Sequence, residues 1–203
     1  MRVNIVGCAP GCEKAPYGQK DKGEIWGIND VHLKYDVDVV IDCHHMMRVI
    51  KGKEERTRRS PEVMMRCLKK IKKKNIPCYS VKEIKSAPSI KKYPLDEIVK
   101  EFDSDYFGSG PDYAVALAIY KGFTEIHTYG ILMIVGDEYS HQKPTFEHWL
   151  GVAKGRGIKT VLHDHKNMCA VLRNESGLIY GYYTPQRWLL EMVKDPDKFE
   201  SYS

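Results

Sequence analysis

A chain of 203 residues with 42% hydrophobic and 10% aromatic residues can bury a core of its own and is too apolar to be disordered throughout. Its 32 Lys and Arg against 27 Asp and Glu give a net charge of only +5, which excludes a uniformly basic or acidic tail protein. Six cysteines are too sparse for a disulfide scaffold and read as reduced thiols. No apolar run approaches the roughly 20 residues that cross a bilayer, and the first residues lack the pattern of a secretion signal. The expected compartment is the cytoplasm, with no membrane partner.

Residues 2–6 (RVNIV) predict a strand ending at Gly7, and residues 24–28 (EIWGI) a second, stopped by Asn29 and Asp30. Residues 37–43 (VDVVIDC) predict a third around the β-branched run Val39-Val40-Ile41. Ser60 as N-cap and Pro61 at the first helical position open a helix to about Lys74. Val63, Met64, Cys67, Leu68 and Ile71 fall on one face of it and the lysines on the other. A fourth strand is expected at 76–80, followed by an irregular Lys/Ser/Pro-rich connection over 81–93. Then come a helix at 94–102, a short strand or turn at 106–110, and an apolar helix at 111–121, buried on most sides. Residues 125–129 predict a strand ending at Gly130, 144–156 a helix opened by Pro144, and 158–162 a strand. An extended segment at 178–183 and a helix at 185–193 complete the chain. The alternation predicts an α/β, Rossmann-like, doubly wound and mostly parallel sheet with helices on both faces. It is read as a single domain over 1–203 with mobile loops near 50–60, 81–93 and 131–143.

In such sheets the ligand sits beyond the carboxyl ends of the strands, near the point where strand order reverses. That selects the loops at 7–18, 29–30, 42–46, 108–111 and 130–142. Gly7, Ala9, Pro10 and Gly11 form a turn whose amides can approach a phosphate, although the pattern is neither G-x-G-x-x-G nor a P-loop. Asp42 and His44 at the end of the third strand can bind ligand hydroxyls or, with Asp30, a transient Mg²⁺ alongside substrate phosphates. No fixed metal site is expected, because Cys8, Cys12, His163 and His165 lack the spacing of a zinc centre. Ser109 and Gly110 open a small-residue helix and offer exposed amides. Glu138, Tyr139, His141 and Gln142 form a polar loop ahead of Pro144, where a helix N-terminus disfavours the cationic imidazole and suits His141 to act as a base. His32 and His127 are assigned to structure, and His148 to packing. The basic residues concentrated in 48–92 read as a solvated helix face that leaves room for contact with nucleic acid.

These motifs carry a resemblance. The G-x-x-P-G turn, W-G-I-N-D at 26–30, the S-G-x-x-Y-A-x-A-L-A helix and the G-F-T-E-I-H-T-Y-G-I string resemble bacterial CMP-sialic-acid-dependent sialyltransferases with one Rossmann-like domain. The chain also resembles a set of phage-encoded Rossmann-like proteins of unknown function over most of its length, through W-G-(L/I)-N-D and the string at 138–159. Pterin diphosphokinase-like proteins are a more distant likeness. The sialyltransferase resemblance implies a nucleotide-sugar transferase with no required cofactor and His141 as general base. It also implies that Gly7, Ala9, Pro10, Asn29, Ser109 and Gly110 contact the nucleotide, and the reading of the loops adds Gly11 and Asp30 to these contacts and assigns Asp42, His44, Glu138, Tyr139 and Gln142 to the substrate. The diphosphokinase-like alternative implies ATP and Mg²⁺, and a third reading is a non-catalytic nucleotide or signal-molecule binder. The partner is a nucleotide or nucleotide-sugar, and a homo-oligomer is compatible with each reading.

Overall fold

The computed structural model describes residues 1–53, 59–133 and 137–163, the first five residues of the last stretch as backbone only. All of them fall in the unit Met1–Asp164. The elements expected at 178–183 and 185–193, together with His165 and Cys169, lie outside the described residues, as do Arg56 and Arg58.

Seven strands form one sheet: β1 (Arg2–Val6), β2 (Glu24–Ile28), β3 (Val39–Asp42), β4 (Cys78–Ser80), β5 (Ile90–Lys92), β6 (Glu125–Tyr129) and β7 (Lys159–Leu162). Their order is β5-β4-β3-β2-β1-β6-β7, and every pairing is parallel. The doubly wound α/β class expected from the sequence is therefore the fold, with a wholly parallel sheet among the described residues. From β1 the chain steps one way through β2 to β5, then crosses back to β6 and steps the other way to β7. Right-handed crossovers put α1 (Val31–Lys34), α2 (Met46–Ile50) and α3 (Pro61–Lys74) on one face of the sheet. They put α4 (Leu95–Phe102), α5 (Gly110–Tyr120) and α6 (Asp137–Gly155) on the other. Strand order reverses between β1 and β6, so the crevice lies at Gly7 and Gly130.

The core follows the periodicities. Val3, Ile5, Val40, Ile41 and Ile126 are fully buried, and α3 presents Met64, Cys67 and Ile71 to the sheet. Ser60 accepts the Val63 N–H at 3.2 Å, as an N-cap should, and Asn75 ends the helix in the left-handed region at φ 49°. In α5 the run from Ala114 to Ala118 has no exposure, because the helix is covered by the sheet, α4 and α6.

Several boundaries differ from the sequence reading. β3 starts at Val39, since the Asp38 carboxylate accepts the Ile25 N–H at 2.8 Å ahead of the ladder. β4 starts at Cys78, since the Ile76 N–H closes α3 onto Ile71 at 3.1 Å and Pro77 has no N–H. The connection over 81–93 contains β5, whose exposed Lys91 and Lys92 hide it from any alternation test. Residues 106–109 are neither strand nor helix. The helix expected from Pro144 begins at Asp137 and carries Pro144 in its interior. Proline forfeits one helical hydrogen bond there, while Phe146, Trp149, Leu150 and Ala153 bury the stripe that follows.

Candidate active site at the carboxyl edge of the sheet

The loops after β1 and β6 are laced together. Gly7 donates its N–H to Tyr129 O at 2.8 Å and Ala9 to Gly130 O at 3.1 Å. The Gly11 N–H goes to Oε2 of Glu13 at 3.0 Å and the Cys12 N–H to Ala9 O at 3.2 Å. Backbone N–H groups of Glu13 itself and Gly11 hold the Glu13 carboxyl below its ordinary range. The amides of Gly7, Ala9 and Gly11, expected to face a phosphate, are thus engaged within the loop, and Pro10 has none to offer.

Next along the edge, Asn29 follows β2 at φ 57° and donates its N–H to Ile41 O at 2.9 Å. Its carbonyl accepts from Nδ1 of His32 at 2.9 Å, and burial lowers the His32 pKa, in keeping with a structural imidazole. Asp30 receives the Cys8 thiol on Oδ1 at 3.1 Å. Partial withdrawal of the sulfur from water and the adjacent Asp30 charge raise the pKa of the Cys8 thiol, although the residue as a whole is exposed. It stays protonated and is a poor nucleophile or metal ligand.

Asp42 ends β3 with no exposure. Its Oδ1 accepts the His44 N–H at 3.1 Å and lies 2.7 Å from His44 Nδ1. Its Oδ2 accepts from Arg59 Nη1 at 3.3 Å, while Arg59 Nη2 lies 3.3 Å from Asp30 Oδ1. Ser80, at the end of β4, donates its hydroxyl to His44 O at 3.1 Å. One polar chain, Cys8–Asp30–Arg59–Asp42–His44, therefore runs across the ends of β1, β2 and β3. Arg59 was not singled out from the sequence. It is one of many basic residues there, and the only local signal is its place just ahead of the Ser60-Pro61 helix start.

On the other face, α5 begins over the end of β2. A Cβ on Gly110 would come 2.8 Å from the Ile28 side chain. Buried Asp112 accepts from the Gly108 N–H at 2.7 Å, the Ser109 N–H at 2.8 Å and the Ser109 hydroxyl. Burial raises the Asp112 pKa against these hydrogen bonds. The Ser109 groups expected to meet a ligand are thus capped by the helix's own carboxylate. Glu138, Tyr139, His141 and Gln142 belong to α6 rather than to a loop before it. His141 sits in the second turn, past the first turn where the helix N-terminus acts most strongly on an imidazole. The side chains of Glu138, Tyr139 and His141 lie outside the described residues.

His127 and His148 are structural as expected. His127 bonds Glu125 and His163 at 2.9 Å each, and His148 bonds the Ser104 hydroxyl at 3.1 Å. Among the described residues no three His, Cys, Asp or Glu side chains converge as a metal site, and the five described cysteines are free thiols. No described helix is long and apolar enough to cross a membrane. The basic block is not one patch. Lys72, Lys73 and Lys74 close α3 at the amino edge of the sheet, with Lys74 paired to Asp36 at 2.6 Å, whereas Arg59 lies at the carboxyl edge.

The fold is similar to that of a known enzyme. The chain is similar to the sialyltransferase CstII from Campylobacter jejuni in complex with a substrate analogue, CMP-3FNeuAc, at TM-score 0.51 and 16% identity over 79% of each chain. It is likewise similar to CstII with cytidine-5'-monophosphate, at TM-score 0.50 and 16% identity over 81% of this chain and 80% of that one. No family model and no curated protein matches the chain. At this identity the likeness is one of fold.

Proposed function

We propose that this protein is a glycosyltransferase that uses a nucleotide-sugar donor of the CMP class. The observation that supports the reading best is the Arg59 guanidinium between Asp30 and Asp42, beside the switch point of the sheet. A planar, permanently charged fork at that edge suits a phosphate group, which would share the guanidinium with, or displace, the Asp30 and Asp42 carboxylates now facing its two Nη atoms. The leaving group gains negative charge as the sugar departs, so a fixed cation there stabilises the transition state more than the ground state. The fold shared with a sialyltransferase studied with CMP compounds agrees with this reading.

In this reading the turn at Gly7, Ala9, Pro10 and Gly11, with Asn29, Asp30, Ser109 and Gly110, surrounds the nucleotide. Asp42, His44, Glu138, Tyr139 and Gln142 lie toward the sugar and acceptor. The acceptor's proton goes to a histidine, which the sequence expectation assigns as His141. No divalent ion is required, since Arg59 supplies the positive charge. A Mg²⁺ bound by Asp42 would have to displace Arg59 and His44 from its two oxygens. The test is thermal stability with CMP, UDP, ATP and a pterin, each with and without Mg²⁺. A ligand that binds only the folded chain raises the melting temperature by mass action. Stabilisation by CMP without metal is the expected result, and stabilisation only by ATP with Mg²⁺ contradicts the reading.

A further inference from the structure

We infer that His44, held by Asp42, takes the acceptor's proton in place of His141; the inference rests on the donor reading above. The imidazole is held at Nδ1, and the His44 backbone is held at both its N–H and its carbonyl. Asp42 Oδ1 lies 2.7 Å from Nδ1 and also accepts the His44 backbone N–H at 3.1 Å. The Ser80 hydroxyl pins the His44 carbonyl at 3.1 Å from the next strand. A carboxylate facing Nδ1 keeps the proton on that nitrogen and leaves the basic lone pair on Nε2. Arg59 on the other oxygen of Asp42 holds the carboxylate in place from the far side. The His44 side chain is 29% exposed while Asp42 is fully buried, so the dyad has a buried orienting end and an open basic end.

The other described histidines lack this arrangement. Both ring nitrogens of His32 lie against carbonyl oxygens, those of Asn29 and Cys67. His127 is bonded through both nitrogens within the sheet. His45 has no carboxylate partner among the described residues. It instead lines a cavity of about 390 Å³ between the start of α2 and residues 82–86. That cavity lies just past the ends of β3 and β4, and its wall includes His45, the residue that follows His44 in the chain.

The acceptor hydroxyl gives its proton to His44 Nε2, and its oxygen lone pair forms the bond to the donor's anomeric carbon. The bond from that carbon to the phosphate oxygen breaks, and its electron pair leaves on the nucleoside monophosphate. Asp42 stabilises the imidazolium until the proton passes to water.

The experiment uses the full chain with CMP-N-acetylneuraminic acid as donor and water as acceptor, measuring CMP release, and CMP binding by thermal shift in parallel. His44→Gln is expected to lower kcat by about 10²–10⁴-fold, the usual contribution of a general base, with KM and the CMP-induced shift within twofold of wild type. Asp42→Asn, which turns the ring without removing it, is expected to lower kcat with KM unchanged; a merely structural Asp42 would instead move stability and leave kcat of the folded fraction intact. Wild-type turnover by His44→Gln, with His141→Ala inactive and CMP still bound, overturns the inference and leaves the donor reading standing. A wild type that neither binds CMP nor releases it from the donor overturns both.

Discussion

A methyl group on Gly7 would stand 2.3 Å from the carbonyl oxygen of Gly130, and one on Gly130 would stand 2.6 Å from the carbonyl oxygen of Ala9. The two loops at the switch point touch backbone to backbone, and Gly130 also takes φ +59°, a conformation that side chains rarely adopt. This contact sets the floor of the crevice, because it fixes how far the first loop can lift from β6.

Gly7→Ala and Gly130→Ala are each expected to destabilise the protein by about 1–3 kcal/mol, the cost of overpacking against atoms that cannot move aside. Denaturant titration measures this. The double variant should lose less than the sum, since both methyl groups push the same two loops apart. Additive losses would mean that each clash is relieved independently of the other.

Arg59 joins two carboxylates, one of them fully buried, so Arg59→Ala should cost about 3–5 kcal/mol by stranding Asp42. Arg59→Lys keeps the charge and loses the planar fork. It is expected to fold and to bind CMP at least about 10-fold more weakly, a loss of about 1.4 kcal/mol. Calorimetric titration of the folded variant decides it; unchanged affinity would remove Arg59 from the nucleotide site.

β1, β2 and β6 were legible as short apolar runs stopped by Gly7, Asn29 and Gly130, β3 by its β-branched run, and α3 because Ser60 and Pro61 mark its start. The elements that escaped have too few residues to show a period. α1 has four and α2 five, and β5 has two exposed lysines in three positions. Pro144 misled for a different reason: proline favours a first turn, but here it lies within a helix that continues through it. At the site, Asp30, Asp42 and His44 were picked out by their place after strands. Arg59 was missed because only its place ahead of Ser60 and Pro61 separates it from its basic neighbours, and only the return of the chain into α3 brings it to Asp30 and Asp42. The engagement of the Ser109 amide by Asp112, and of the Ala9 amide by Gly130, are likewise properties of the folded loops.

Glu125 gives a pH signature. Lys159 at 2.7 Å, His127 at 2.9 Å and Arg2 at 3.1 Å lower its pKa from the ordinary 4.5 to about 2. A carboxylate depressed in the folded state contributes stability above its unfolded pKa and loses it as pH falls through the folded one. Stability should therefore drop between pH 4.5 and about 2, and Glu125→Gln should flatten that limb. An unaltered acid limb would assign it to other carboxylates.

Asp112 accepts three donors at the start of α5, two of them backbone N–H groups. Asp112→Ala leaves them without their partner and is expected to cost about 1–3 kcal/mol, read from the denaturation midpoint. Ser109→Ala removes one of the three and should cost less. The reverse order would mean that Ser109 anchors the loop through other groups.

The central claim is that the nucleotide binds along the carboxyl edge, at the chain of residues running from Cys8 to His44. A crystal structure of the protein grown with CMP measures this most directly. The CMP phosphate is expected within hydrogen-bond distance of Arg59 and beside the turn at Gly7–Gly11. CMP bound elsewhere, for instance in the cavity at the amino edge lined by Arg2, Lys20 and Glu24, would contradict it.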